Sequence, residues 1–294
     1  MRVADSTFYA NMKTNFGVRR EALAKAQEQA LSGMRVTKPS DDPLAFTGAR
    51  KQTAEQARAA SYERAVNSAV PSLEVSDSTL ADVENVMRRI RDLTIQGAND
   101  TLNGNDRAQL VNELDGLKAQ LVTLANAKTG DRFIFGGYKD NAPPYDAAGV
   151  YSGDTQMQQV EVARNVMLPL GITGDRIFGA ANGGTDIFQT ITDLQTALTS
   201  GVADDISGML DPLDVSMEQV RVARSELGNH LNSADISLGM AQRQQDESIA
   251  ARSKLVEIDA VDAYSELMRA QSALSAAIEI AAQLPPQGLV ERAR

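Results

Sequence analysis

The sequence predicts a mainly α fold with a small β-rich insertion, its N- and C-terminal segments pairing into a long helical-bundle or coiled-coil rod. Three observations carry this. Apolar residues recur in steps of three and four on both sides of residues 131–180, the spacing of one helix face. Within that stretch glycines, prolines and short alternating runs replace the periodicity. Hydrophobic content is 43%, but aromatic content is only 4% and Trp is absent. Much of the apolar fraction is Ala, which suits narrow helix seams rather than thick aromatic cores.

Residues 5–31 read as a helix, with Phe8, Met12, Phe16, Leu23, Ala26 and Ala30 on a narrow apolar stripe. Such a helix is marginal alone and needs a partner. Ser32-Gly33-Met34-Arg35-Val36-Thr37-Lys38-Pro39-Ser40-Asp41-Asp42-Pro43 then interrupts the pattern. A Gly and two prolines end one helix, and Ser40, Asp41 and Asp42 are residue types that cap the next. Next comes a heptad run through Tyr62, Val66, Ala69, Leu73, Ser76, Leu80, Val83, Met87, Ile90 and Thr94. About four heptads at ~1.5 Å per residue make a rod of roughly 50 Å. Pro71 lies inside the run and is expected to kink or break it.

Gly97 to Asn105 reads as a turn, and Leu110, Leu114, Leu117, Leu121 and Leu124 as a second helix, so the two form a hairpin. From Gly130 the character changes. Phe133-Ile134-Phe135, the Gly136-Gly137 and Pro143-Pro144 pairs, Gly153-Asp154 and the alternating Val160 and Val162 are strand and turn signals over 131–180. Residues 186–200 form an amphipathic helix. Heptads return with Leu213, Met217, Val220, Leu227, Leu231, Ala234, Leu238 and Ala241, where Arg224 is a polar exception, and Leu255 is again in phase. A final helix carries Tyr264, Leu267, Leu274, Ile278 and Ala281, and Pro285-Pro286 ends it. The simplest arrangement pairs the first elements with the last, leaving the chain ends at one pole and the insertion at the other.

Composition bounds the chemistry. The 39 acidic and 29 basic residues give a formal charge of −10, which disfavours nucleic acid and anionic lipid as partners. There is no cysteine, so disulfides and thiolate zinc sites are excluded. No run of 18 apolar residues occurs, and the N-terminus lacks an apolar core of signal-peptide length. His230 is the single histidine, with no nucleophile in motif spacing. No Gly-rich phosphate loop is present. Asp41-Asp42 and Asp204-Asp205 are adjacent carboxylates without further ligands, better explained by helix capping and dipole complementarity than by a metal. The glycosylation match Asn99-Asp100-Thr101 falls in the predicted turn. No catalytic, cofactor or metal site is expected.

Several segments together resemble the flagellin superfamily and, within it, the hook-associated protein 3 branch. The most specific is Leu31-Ser32-Gly33-Met34-Arg35-Val36 followed by Lys38-Pro39-Ser40-Asp41-Asp42-Pro43, whose Pro-Ser-Asp-Asp-Pro spelling is closer to that branch than to filament proteins. Gly97-Ala98-Asn99-Asp100-Thr101 with Asp106-Arg107, Asp131-Arg132-Phe133-Ile134-Phe135-Gly136-Gly137, Tyr151-Ser152-Gly153-Asp154 and Glu257-Ile258-Asp259-Ala260-Val261-Asp262 resemble further family segments. The resemblance implies a structural adaptor, not an enzyme, exported without a cleaved signal peptide to an extracellular flagellum. The implied partners are copies of itself in a ring, hook-associated protein 1, flagellin, and an export chaperone with the secretion apparatus. Membrane insertion, nucleic acid and cofactors are not implied. Alternatives are a filament flagellin and a secreted coiled-coil translocon or tip protein.

On this reading residues 1–45 and 256–294 are terminal arms, 46–130 with 204–255 the rod, and 131–203 an outer domain. Phe8, Met12, Phe16, Leu23, Tyr264, Leu267, Leu274 and Ile278 would serve assembly. Leu73, Leu80, Val83, Met87, Ile90, Leu227, Leu231 and Leu238 would form the rod seam, and Lys38 to Pro43 the helix joint. Arms too weakly apolar to fold alone order on assembly. Limited proteolysis of the free protein is therefore expected to cut within 1–40 and 256–294 and to spare the middle; uniform protection would contradict it.

Overall fold

The computed structural model describes residues 2–99, 102–180 and 184–283, and side chains between 10 and 282 of these. The side chain of Phe8, Asp100 and Thr101 of the glycosylation match, and the tail from Pro285 lie outside the described residues. The elements are α1 (Arg2–Ser32), α2 (Pro43–Gly97), α3 (Gly104–Ala125), β1 (Lys128–Thr129), β2 (Arg132–Phe133), β3 (Gln159–Ala163), β4 (Val166–Pro169), α4 (Gly174–Ile177), α5 (Ile187–Ser200), α6 (Ala203–Gly208), α7 (Leu210–Val256) and α8 (Ala260–Gln283). They form two compact units, one of 1–57 with 244–294 and one of 58–243. The mainly α class follows directly from this order. No helix among the described residues is long and apolar enough to cross a membrane.

In the larger unit the heptad residues converge on one core. Leu73, Leu80, Val83, Met87 and Ile90 of α2, Leu114 and Leu121 of α3, and Leu227 of α7 are fully buried together, with Leu231 and Leu238 half-buried against them. Each such side chain contributes about 1.5–3 kcal/mol. The two polar seam positions of α2 turn their hydroxyls back on their own helix: Ser76 donates to the Ser72 carbonyl (2.8 Å) and Thr94 to that of Ile90 (2.8 Å), so neither is left unpaired. Arg224, the polar exception on α7, reaches Asp77 (3.0 Å) and Glu84 (3.4 Å) on α2. Arg91 of α2 meets Asp214 of α7 (2.7 Å). The crossed order of these pairs makes α2 and α7 antiparallel. Half-exposed pairs are worth under about 1 kcal/mol each, so they select register more than they add stability.

Pro71 does not break α2, which runs unbroken from Pro43 to Gly97. Its ring is exposed, so water can take the carbonyl that its missing N–H leaves free. The interruption costs about 3 kcal/mol. Buried Val66, Ala69 and Leu73 on either side offset that amount.

The insertion is less β-rich than its spacing suggests. It holds two antiparallel two-stranded sheets, β1 with β2 and β3 with β4. Turns packed on rings make up much of the rest. Of the chain's 7 Phe and 6 Tyr, seven lie in residues 131–203, and five of those pack together: Tyr145 lies 5.1–5.5 Å from Tyr151, Phe178 and Phe188, and Phe135 lies 5.8 Å from Phe178. Side chains bond to backbone where strands would otherwise extend. The Asn126 amide accepts from and donates to the Tyr145 backbone (3.0 and 2.9 Å), and the Tyr151 hydroxyl reaches the Phe135 and Asp154 carbonyls (3.1 and 2.7 Å). Gly149 has φ +92°, and a Cβ there would fall 2.3 Å from the Phe188 ring. Phe178→Ala is expected to cost about 3–5 kcal/mol, measured as the shift in urea unfolding of the 58–243 unit.

Candidate functional site

No group of three or more His, Asp or Glu side chains among the described residues could hold a metal. His230 sits half-buried on α7, where burial pushes its pKa down. Asp204 and Asp205 lie in the first turn of α6, where the helix dipole favours them.

The specific geometry lies instead at the segment between α1 and α2. Gly33 ends α1 in the left-handed region (φ +67°), its N–H donating to the Gln29 carbonyl (2.9 Å). The chain then pairs with the exit of α7, more than 200 residues on. Met34 and Glu257 form an antiparallel bridge. Arg35 and Val36 donate to the Val256 carbonyl (2.7 and 3.3 Å), and Ile258 donates to that of Gly33 (3.0 Å). The α1–α2 break and the α7–α8 break are thus one hydrogen-bonded joint. Its floor is Val36, Ala45, Ala49 and Val256, buried together with Phe46 and Leu255 against them. A Cβ at Gly48 would lie 3.1 Å from Leu255, so the helices close up there.

The two adjacent carboxylates divide their work. Asp42 is the cap: its Oδ1 accepts from the Ala45 N–H (3.0 Å) and its carbonyl from that of Phe46 (2.9 Å), with Pro43 in the first helical position. Asp41 closes the preceding turn instead. Its Oδ2 accepts from the N–H groups of Thr37 (3.2 Å) and Lys38 (3.0 Å), and its Oδ1 takes the Lys25 ammonium of α1 (2.8 Å). The Lys25 hydrogen bond, then those from Lys38 and Thr37, hold the Asp41 carboxyl far below the usual carboxylate range. The Ala45 N–H and the Arg35 guanidinium lower Asp42 in the same direction. Lys38 pairs loosely with Glu28 (3.6 Å), and Pro39 and Ser40 are exposed.

Arg35 is the side chain that sequence reasoning left out of the site. Its guanidinium donates to the Leu255 carbonyl at the end of α7 (2.8 Å) and to Asp42 at the start of α2 (3.3 Å). A cation fits both the negative end of one helix and the capping carboxylate of the other. The Leu255 carbonyl is 220 residues away along the chain, so the local pattern could not mark this role.

Beyond the joint, α1 packs along α8. Met12, Phe16 and Leu23 of α1 and Leu267 and Leu274 of α8 are half-buried. Tyr264 and Ile278 are 60% and 54% exposed, as are Val261 (72%) and Met268 (62%). Positions 261, 264, 268 and 278 share one helix side, so α8 carries an open apolar stripe as well as its half-buried face. Val261, named in the sequence reading only as part of the 257–262 segment, and Met268 follow from the same spacing.

Stability from a lowered carboxyl pKa is present above the unfolded value, near pH 4, and is lost as pH falls through the folded one. In the assembled protein, intrinsic-rate-corrected hydrogen exchange is therefore expected to keep the Thr37 and Lys38 amides protected from pH 7 to about 4, and to lose that protection only in stronger acid. Asp41→Asn should weaken it at neutral pH; loss in the parent between pH 6 and 5 would contradict this account.

Residues 3–140 match the family described as the bacterial flagellin N-terminal helical region. The chain is 30% identical over 285 residues to flagellar hook-associated protein 3 of Escherichia coli K12, covering 86% of this chain and 87% of that one. A solved structure of a putative flagellar hook-associated protein from Vibrio parahaemolyticus shares the fold, with a TM-score of 0.67, 21% identity, and coverage of 74% of this chain and all of that one. A flagellin of Halalkalibacterium halodurans is more distant, at 22% identity over 294 residues, covering 97% of this chain and 96% of that one. The chain belongs to the family of flagellar hook-associated protein 3.

Proposed function

We propose that this chain is a structural adaptor of the bacterial flagellum that joins the hook-side junction protein to the filament, and that it assembles through its terminal helices. The observation that carries the reading is the family membership over most of the chain. The open stripe Val261, Tyr264, Met268 and Ile278 on α8 supports the assembly part, because a surface helix with an uncovered apolar side favours a further partner. The joint supports a division of labour. Residues 1–45 and 256–294 act as arms that line an inner tube and order on assembly, 46–130 with 204–255 act as the rod, and 131–203 faces outward.

The role requires copies of the chain in a ring, hook-associated protein 1 on one side and flagellin on the other. It also requires delivery by an export chaperone and the flagellar secretion apparatus, without a cleaved signal peptide, to the outside of the cell. It needs no catalysis. Deletion of the gene followed by microscopy of the flagella tests it. Hooks without filaments, with flagellin released to the medium, are expected; normal filaments would overturn the proposal.

A further inference from the structure

Six buried side-chain polar atoms among the described residues meet no hydrogen-bond partner, and three of them gather at the start of α4: Tyr145 Oη, Thr173 Oγ1 and Asp175 Oδ1. Gly174, between the last two residues, is buried, and a Cβ there would lie 2.8 Å from Tyr145 Oη. The Tyr145 hydroxyl therefore rests on the short stretch of backbone that carries Thr173 and Asp175. Burial first, then Tyr151, then the Asp175 and Asp186 carboxylates push the Tyr145 pKa up, so the hydroxyl keeps its proton and stays a donor. Tyr145 is only 3% exposed and Thr173 only 2%, so bulk water does not serve them.

Neighbouring groups are already engaged. The Phe135 carbonyl accepts from the Gly174 N–H (2.9 Å) and from the Tyr151 hydroxyl (3.1 Å). Asp186 caps α5, its Oδ1 accepting from the Gln189 N–H (3.0 Å). Thr173 stands at the N-cap of α4, yet its hydroxyl makes no capping bond. A buried polar group without a partner has lost water and gained nothing in exchange. These three atoms are complementary in kind, since a phenol donates, a carboxylate oxygen accepts and a Thr hydroxyl does either. Their ligand must therefore both donate and accept. An anion would be repelled by Asp175, and an ammonium could not accept from Tyr145. Water meets both demands, and buried waters make about three such bonds to groups of this kind.

We propose that Tyr145 Oη, Thr173 Oγ1 and Asp175 Oδ1 form a binding site for one internal water, which ties the start of α4 to the aromatic core of the insertion. Two measurements on the full chain test it. The first is a crystal structure at a resolution that shows ordered solvent. A solvent peak about 2.5–3.0 Å from Tyr145 Oη and from the Thr173 or Asp175 oxygen is expected. A direct bond from Tyr145 to either residue, or no peak, overturns the proposal. The second is the urea midpoint of the 58–243 unit, followed in the full chain, for Tyr145→Phe. Its sign is diagnostic. Removing a hydroxyl that is truly unpaired leaves the midpoint unchanged or raises it, because an unmet donor disappears. Removing one that holds a water lowers it, because the water loses a partner. A lowered midpoint is expected. The shape-keeping Thr173→Val should lower it as well, and the double variant by less than the sum of the two, since both changes act on the same water. An unchanged or raised midpoint in Tyr145→Phe overturns the proposal, and so does strict additivity.

Discussion

The burial of two heptad seams against each other is the constraint on which the structure depends. Helices α2 and α7 are 55 and 47 residues long, and helices this polar draw most of their stability from packing rather than propensity. Leu73, Leu80, Val83, Met87 and Ile90 disappear from solvent only because α3 and α7 cover them. Arg224 between Asp77 and Glu84, with Arg91 opposite Asp214, then penalises a slipped register. Even Pro71 is absorbed, because its defect faces water while buried residues on both sides hold the helix.

The joint shows how a polar segment can be ordered with very little apolar surface. A handful of small or aliphatic side chains form its floor, and its specificity comes from groups that must find partners. The end of α7 supplies the Val256 and Leu255 carbonyls, the start of α2 needs a cap, and the turn at Thr37 and Lys38 presents N–H groups inward. Arg35, Asp41 and Asp42 satisfy these demands together. Orphan groups at one helix end are thereby coupled to those at another, which ties the entry of α2 to the exit of α7. For an adaptor, such a joint would let both terminal helices be positioned as a pair.

The insertion follows a different logic. It gathers rings in a chain otherwise poor in them, and edge-to-face and tilted contacts replace the ladders of a sheet. Gly149 gives up a side chain so that Phe188 can fill its place. This local aromatic core lets a short loop-rich segment be compact without long strands.

Much was legible in the sequence alone. Heptad spacing placed the long helices, Gly33 and the prolines placed the break after α1, and the spelling around Asp41 and Asp42 carried the family resemblance. These are local signals, set by helix period and by backbone permissiveness, and tertiary packing agrees with them. What the tertiary structure decided concerns partners far apart in the chain. Pro71 stays helical because burial on both sides outweighs a local defect. The insertion forms turns because side-chain to backbone bonds compete with strand pairing. Asp42 caps while Asp41 closes a turn, and Arg35 becomes the pin of the joint because the end of α7 returns beside it. Sequence determined which groups need a partner; only the folded chain, by bringing residues 33–42 against 255–258, determined which partner each one found.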